Sequence, residues 1–432
     1  MLPFALRSVD ALTRSLLIGC LVAIGCGAPS NKGHDGSADT GGQTGASGTG
    51  GHAGASGTGG RAGASGAGGQ AGASGTGGQA GTSGAGGAGQ GGAAGGSVAT
   101  IAGCPMLPAN HIFNTAIDLL PVDPQSAAYL ATIGTHNLHL DLGTTVDQSA
   151  VDFYGIPYNV VHGSTLTWTS AAYLSADTSL DWDAAAEADC AVGTAHALLS
   201  PCKSASALQP LFPIPALPIV EGGIVTDPSQ PYGDHHILIL DADTCRLWEL
   251  YHAYPGPNGS WDIFGSASFD LRSNVLRPAG WTSADAAGFP ILPLLLRADE
   301  ASSGTIRHAL RFTIASNKIR NSYFWPARHL TNNGTASQSL PPMGQLFRLK
   351  ASYAIPSTVN TQARAILQAL KTYGMYIADG GSDMYVTGDP SASWSGATLS
   401  QVQSVSSAMF EAVDLSSIMS RAGFSPNSAA VP

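Results

Sequence analysis

Asp234-His235-His236-Ile237-Leu238-Ile239-Leu240-Asp241-Ala242-Asp243-Thr244-Cys245-Arg246-Leu247-Trp248-Glu249-Leu250-Tyr251-His252 decides how the rest of this chain is read. Two apolar runs flank the short polar link Asp241–Thr244. β-Branched and aromatic residues on both sides of a turn-forming cluster predict a β-hairpin. In an antiparallel sheet one face can pack on a core while the other meets water or a ligand. The expectation is therefore a central hairpin that turns its acids, histidines and aromatics toward a ligand.

Short strand patterns continue on either side. Leu138–Leu142 alternates apolar and polar residues, as a half-buried strand does. His308–Ile314 places His308, Leu310, Phe312 and Ile314 on one face and Ala309, Arg311 and Thr313 on the other. Gly344–Tyr353 supplies another strand, and Met375–Ala378 with Met384–Thr387 reads as a hairpin around Asp379-Gly380-Gly381-Ser382. Pro210–Pro218 reads as an extended connector, and Ile291–Arg297 as an edge strand or extended buried loop. Helical spacing of Val359, Ala363, Ile366, Leu367 and Leu370 predicts an amphipathic helix over Thr358–Tyr373, closed by Gly374. A second helix is expected over Ser400–Val413. Many short strands and few helices define a mainly β class, a β-sandwich or jelly roll with one or two C-terminal helices.

The first 97 residues read differently. Arg7 and Arg14 precede an apolar run, Leu16–Ile24, too short to span a bilayer as a helix, which needs about 20 apolar residues. Residues 1–25 thus read as a secretory signal, and Val22-Ala23-Ile24-Gly25-Cys26 resembles a bacterial lipobox, with Cys26 as the lipidated residue. From Gly41 a nine-residue unit repeats as GGQTGASGT, GGHAGASGT, GGRAGASGA, GGQAGASGT and GGQAGTSGA. A calcium-binding nonapeptide β-helix has this period but needs an Asp in each repeat, and none is present. Residues 26–97 cannot bury apolar surface and read as a disordered tether with an r.m.s. span on the order of 40 Å. The working domain is then 98–432, extracytoplasmic and held to a membrane by its lipid.

With Cys20 in the signal and Cys26 lipidated, Cys104, Cys190, Cys202 and Cys245 remain, an even set in an exported chain. The four allow three pairings. Cys190–Cys202, closing a local loop, and Cys104–Cys245, tying the domain entrance to the hairpin, are the favoured ones. No cysteine or histidine spacing suggests zinc. Asp177, Asp181, Asp183, Glu187 and Asp189 offer the hard oxygens that Ca²⁺ takes, but without the EF-hand spacing, so no metal or other cofactor is expected. The formal net charge of −10 argues against nucleic acid as a partner. Ten acids and no Lys or Arg lie between 98 and 202, whereas Arg246–Lys371 holds thirteen Lys/Arg against six acids. The basic half is the better place to receive an anionic group.

Four segments carry a resemblance: His308-Ala309-Leu310-Arg311-Phe312-Thr313, Trp325-Pro326-Ala327-Arg328-His329, Pro341-Pro342-Met343-Gly344 and Ala369-Leu370-Lys371-Thr372-Tyr373-Gly374-Met375. They resemble a group of secreted bacterial proteins of unassigned activity. The resemblance covers about the last half of the chain, implies a shared fold and hands over no catalytic residues.

The folded part holds no Gly-x-Ser-x-Gly elbow, HExxH helix, P-loop or dinucleotide fingerprint. What it holds suits carbohydrate. Glycosidic hydrolysis needs two carboxyls, and uronic-acid elimination needs a base with a cation against the sugar carboxylate. Asp234, His236, His308, Arg311, Arg328 and His329 are the candidate catalytic residues: His308 or His236 as base, Arg311 and Arg328 as charge stabilisers, Asp234 as acid or His-orienting partner. Trp248, Tyr251 and Trp325 are the candidate sugar platforms. The competing reading makes these histidines satisfied structural groups and the tryptophans core, with Asp241 and Asp243 serving the turn. Two functions follow: action on an extracellular glycan by hydrolysis or elimination, or a non-catalytic binding or surface-display module. Convergence of His236, His308, Arg311 and Arg328 in one cleft would favour the first, and their scatter the second.

The anchor is directly testable. Cys26→Ser is expected to move the protein from the membrane fraction to the soluble exported fraction, with Cys20→Ser changing little. Release by Cys20→Ser instead would place the lipobox at Leu17-Ile18-Gly19-Cys20.

Overall fold

A computed structural model describes residues 98–150, 152–173, 184–202, 209–224, 234–331 and 335–432. The signal, Cys26 and the repeat tether lie outside the described residues, as do Asp177, Asp181 and Asp183.

The hairpin forms as expected. Ile237–Asp241 pairs antiparallel with Arg246–Tyr251, setting Leu240 opposite Leu247 and Leu238 opposite Glu249. Gly265–Asp270 adds to one side antiparallel and Tyr158–Val161 to the other in parallel, making a four-stranded mixed sheet. The expected division into a core face and a ligand face does not hold. Alternation sends Leu238, Leu240 and Leu247 to one side, and Ile237, Ile239, Trp248 and Leu250 to the other. Each side joins its own hydrophobic cluster. The sheet is a wall between two cores. The reason is visible in Ile237-Leu238-Ile239-Leu240, which has no polar residue to mark a wet face; a continuous apolar run is the pattern of a strand buried on both sides.

The larger core is closed by a six-stranded sheet in the order Phe410–Ala412, Leu346–Leu349, Met375–Gly380, Leu310–Ile314, Tyr385–Thr387, His139–Asp141. Here the expected local hairpin is corrected. Met375–Gly380 and Tyr385–Thr387 do not pair; Leu310–Ile314 lies between them, with Phe312 opposite Ile377 in parallel and opposite Val386 in antiparallel. Phe312 is fully buried there, so the apolar gain of inserting this distant strand outweighs the short turn. The smaller core is lined by a second six-stranded sheet built from Tyr254–Pro255, Trp261–Ile263, Thr169–Tyr173, Leu211–Phe212, Cys190–Val192 and Ala197–Leu199.

The class is β-rich with several sheets and few helices, as expected. The amphipathic helix spans Thr361–Thr372, its first turn capped by the Asn360 side chain accepting from the Ala363 amide at 2.8 Å. The chain then turns through Gly374 at φ 73°, where a Cβ would lie 2.4 Å from the Phe347 carbonyl oxygen. The second expected helix stops at Val402, and Phe410–Ala412 instead extends the large sheet along Leu346–Leu349. Ile291–Leu296 is a fully buried segment with one short helical turn, Leu292–Leu294.

Both favoured disulfides are present. Cys104–Cys245 ties the domain entrance to the hairpin turn across 141 residues, and Cys190–Cys202 closes a loop of 12 within the smaller core. Closing the longer loop removes more unfolded-state entropy. The double change Cys104→Ser/Cys245→Ser is expected to destabilise by about 5 kcal/mol, against about 3 kcal/mol for Cys190→Ser/Cys202→Ser. Denaturant midpoints measured without reductant check this order, and a larger loss from the short loop would contradict it.

Candidate functional site

The site is assembled at the start of the hairpin. His236 precedes the first strand, and its imidazole is 3% exposed. Its Nδ1 donates to Glu221 Oε2 at 2.6 Å and its Nε2 donates to the Ala284 carbonyl at 2.9 Å. A carboxylate and a carbonyl can only accept, so both ring nitrogens carry protons. Burial works against that charge, but Glu221, with a smaller pull from Asp234, lifts His236 to about 9. Burial would raise Glu221 in turn, yet the His236 charge and hydrogen bonds hold it below its ordinary value. His236 is thus a buried cation with no lone pair to take a proton, and the role of base cannot be its own.

Arg311, on Leu310–Ile314, is the second buried cation. Its Nε and Nη2 donate to the two oxygens of Asp285 at 2.9 and 2.6 Å, and Nη1 donates to the Thr387 hydroxyl. This is the bidentate fork that guanidinium makes with carboxylate. Asp379, at the far end of Met375–Gly380, accepts from the Ala286 amide at 3.2 Å and the Gly380 amide at 2.6 Å. Burial first, then the Asp285 charge, push Asp379 up to about 7, with Arg311 pulling the other way.

One loop gathers these groups. The Ala284 carbonyl receives His236, the Asp285 carboxylate receives Arg311, and the Ala286 amide donates to Asp379. The Ala286 carbonyl also receives His329 Nδ1 at 3.0 Å. His236, Arg311 and His329, which lie far apart in sequence, therefore share partners on three consecutive residues.

Next to His236, the two ends of the hairpin carry less buried groups. Asp234 is exposed, and Tyr251 donates to its Oδ1 at a long 3.5 Å. His252 is half-buried, stacked on Phe264 with ring centroids 4.2 Å apart, and among the described residues its ring nitrogens have no hydrogen-bond partner. Burial and the neighbouring His235 lower its pKa, which leaves a neutral imidazole at neutral pH. The backbone here is strained. His235 and His252 adopt φ of 53° and 52°, left-handed values that side chains other than glycine rarely take. Two backbone bonds hold them: the His252 amide donates to the Asp234 carbonyl at 2.9 Å, and the Ala253 amide donates to the His235 carbonyl at 3.1 Å. Such strain, of order 1–3 kcal/mol per residue, concentrates at functional sites.

Several expected site residues lie elsewhere. His308 is 1% exposed with both nitrogens taken, by the Ala309 carbonyl at 2.8 Å and Glu300 at 2.9 Å. Arg328 donates to the Arg277 and Pro426 carbonyls, both at 2.6 Å, and to Asn427 at 2.9 Å, fastening the C-terminal segment. Trp248 is 1% exposed in the smaller core, edge-on to Trp168 and Phe212, so neither ring face can receive a sugar. Trp325 is buried against Phe424 with its Nε1 donating to the Ser428 carbonyl. These four are held by packing and hydrogen bonds within the fold. Asp241 takes the turn role, accepting from the Gly163 and Asp243 amides and the Thr244 hydroxyl. Glu187 and Asp189 engage Thr282 and Arg277, and no cluster of three metal-ligating side chains occurs among the described residues.

The sequence reading missed Glu221, Asp285 and Asp379 and passed over His252. Asp285 and Asp379 sit among Ala and Gly, where acids read as helix starts or turns. Glu249 had a signal: an acid inside the strand Leu247-Trp248-Glu249-Leu250. It is fully buried, its Oε1 accepts from the Ile291 and Leu292 amides at 2.7 and 3.1 Å, and its Oε2 has no partner among the described residues. No protein-family model, curated protein or solved structure matches the chain.

Burial above all, then the Asp285 charge, pushes Glu249 up to about 8, against two amides that lower it. A carboxyl raised on folding binds more protons native than unfolded, so stability falls as pH rises from its unfolded value through about 8. Asp379 and Asp389, both held near 7, act in the same direction. The stabilising charge of His236 is complete below 6.5 and lost as pH passes about 9. All four weaken the fold on the alkaline side. Glu249→Gln keeps the neutral shape, so its stability relative to the parent is expected to rise by a few kcal/mol between pH 5 and pH 9. Denaturant unfolding at both pH values measures this; an unchanged difference would show that Glu249 does not titrate there.

Proposed function

We propose that this chain is an exported, lipid-anchored enzyme whose β-rich domain acts on an extracellular polysaccharide. The observation that carries the reading is the half-buried, neutral imidazole of His252 beside Tyr251 and Asp234 and near the buried His236 cation, which shares the Ala284–Asp285 loop with Arg311. Of the two reactions, elimination fits better. The groups at the surface are one imidazole, one phenol and one carboxylate rather than two open carboxyls. His252 takes the proton next to the sugar carboxylate. Tyr251, whose hydroxyl is held protonated by burial and by Asp234, returns a proton to the leaving oxygen as the C–O bond breaks and a C=C bond forms. His236 and Arg311 contribute positive potential beneath the developing negative charge.

Two disulfides fit an oxidising compartment, and no described helix is long and apolar enough to cross a membrane. Anchoring through Cys26, the tether and membership of the secreted bacterial group belong to the proposal. So does the finer architecture. The stacking of the central sheet between two cores supports a layered, sandwich-like arrangement, and the parallel pairings count against a jelly roll.

A second reading, a non-catalytic glycan-binding or display module, is favoured by one observation. The side chains of His308 and Arg328 share no partner with those of His236 and Arg311, and all four are occupied by protein partners.

A panel of uronate-containing and neutral glycans, followed by ultraviolet absorbance and reducing ends, separates the readings. Turnover is expected, with His252→Ala reducing it on the order of 10²–10⁴-fold while the fold is retained. A folded protein that binds a glycan without turning over any would establish the binding module instead.

A further inference from the structure

A second charged site lies outside this network. Arg297 follows the buried Ile291–Leu296 segment, and its side chain has no exposure. Its Nη2 is 2.7 Å from Glu300 Oε2, yet among the described residues none of its three nitrogens is aligned as a hydrogen bond to a protein acceptor. The same Glu300 oxygen also faces His308 Nε2 at 2.9 Å, so one carboxylate oxygen serves two side chains. A guanidinium presents five N–H donors in a planar fork, and buried donors almost always find acceptors in protein, water or a bound group. Arg297 is under-supplied.

Arg297 also forms part of the wall of a cleft of about 350 Å³, together with Asp299, Glu300, Ser303, Thr305 and Arg307. Arg307 adds a second, exposed cation, and Ser303 and Thr305 supply hydroxyls. Asp299 shows what chemistry the position receives. Its Oδ1 stands 3.5 Å from Arg297 Nε, beyond a proper hydrogen bond, and its side chain is 61% exposed. It is a loosely held carboxylate, free to swing into solvent and be replaced.

We infer that Arg297 is the floor of a binding site for a small carboxylate ligand, with Asp299 as its internal competitor. An incoming carboxylate lies in the guanidinium plane, takes the unfilled N–H donors and displaces the Asp299 side chain outward. The Ser303 and Thr305 hydroxyls and the Arg307 cation meet the rest of the ligand. The site does not depend on the elimination chemistry proposed above.

Calorimetric titration of the full-length protein with glucuronate, with glucose as the neutral control, tests it. Saturable binding of glucuronate and none of glucose is expected. Asp299→Asn removes the competitor at an exposed position and is expected to tighten binding up to about fivefold, the range of an exposed ion pair. Arg297→Met is expected to abolish binding; should it fail to fold, Asp299→Asn alone decides. Absence of binding in both the parent and Asp299→Asn, an Asp299→Asn affinity no tighter than the parent's, or undiminished binding by a folded Arg297→Met would overturn the assignment.

Discussion

Burial of the central sheet on both faces is the constraint on which the rest of the molecule depends. Every residue of Ile237–Asp241 is buried, with side chains feeding two separate cores. A strand in that position cannot present a ligand face, so the chemistry carried by the hairpin moves to its ends. Asp234, His235 and His236 stand before the first strand, and Tyr251 and His252 close the second. The antiparallel pairing brings those two ends together, and two backbone hydrogen bonds lock them in left-handed geometry. Both disulfides serve the same wall: one fastens the hairpin turn and the other lies within the smaller core.

The site then becomes an exercise in compensating buried charge. An isolated ion in a low-dielectric interior is costly, so each is paired and hydrogen-bonded. His236 answers Glu221, Arg311 answers Asp285, and the loop Ala284–Ala286 supplies a carbonyl, a carboxylate and an amide to three different elements. Where acids exceed cations, the surplus is absorbed as protons. Asp379 and Glu249 are pushed upward chiefly by burial, with the Asp285 charge adding to it in both. Arg297 is the opposite case: a buried cation whose nearest carboxylate, Glu300, is shared with His308.

The sequence by itself determined what rests on composition and on local pattern. The hairpin, the helix near Thr361–Thr372, the strand at Leu310–Ile314 and the β-rich class follow from apolar periodicity and turn residues, which act over a few residues. The two disulfide pairings were legible because four cysteines in the folded part leave few choices. Part of the site was legible too, since Asp234, His236 and Tyr251 belong to one visible hairpin.

Only the tertiary structure decided which face of each strand is wet and which distant residues meet. Leu310–Ile314 slips between two strands that look like a hairpin, because long-range apolar burial outweighs the local turn. Trp248 and Trp325, equally suited by type to a sugar platform or a core, go to the core. Glu221, Asp285 and Asp379 have no local signature at all. Their role comes from the cations that face them across the fold, and those contacts span 15, 26 and, for Asp379 with Ala286, 93 residues of chain. Periodicity carries information along one element, whereas charge compensation acts through space. The hairpin was therefore readable in the sequence, and the network beneath it was not.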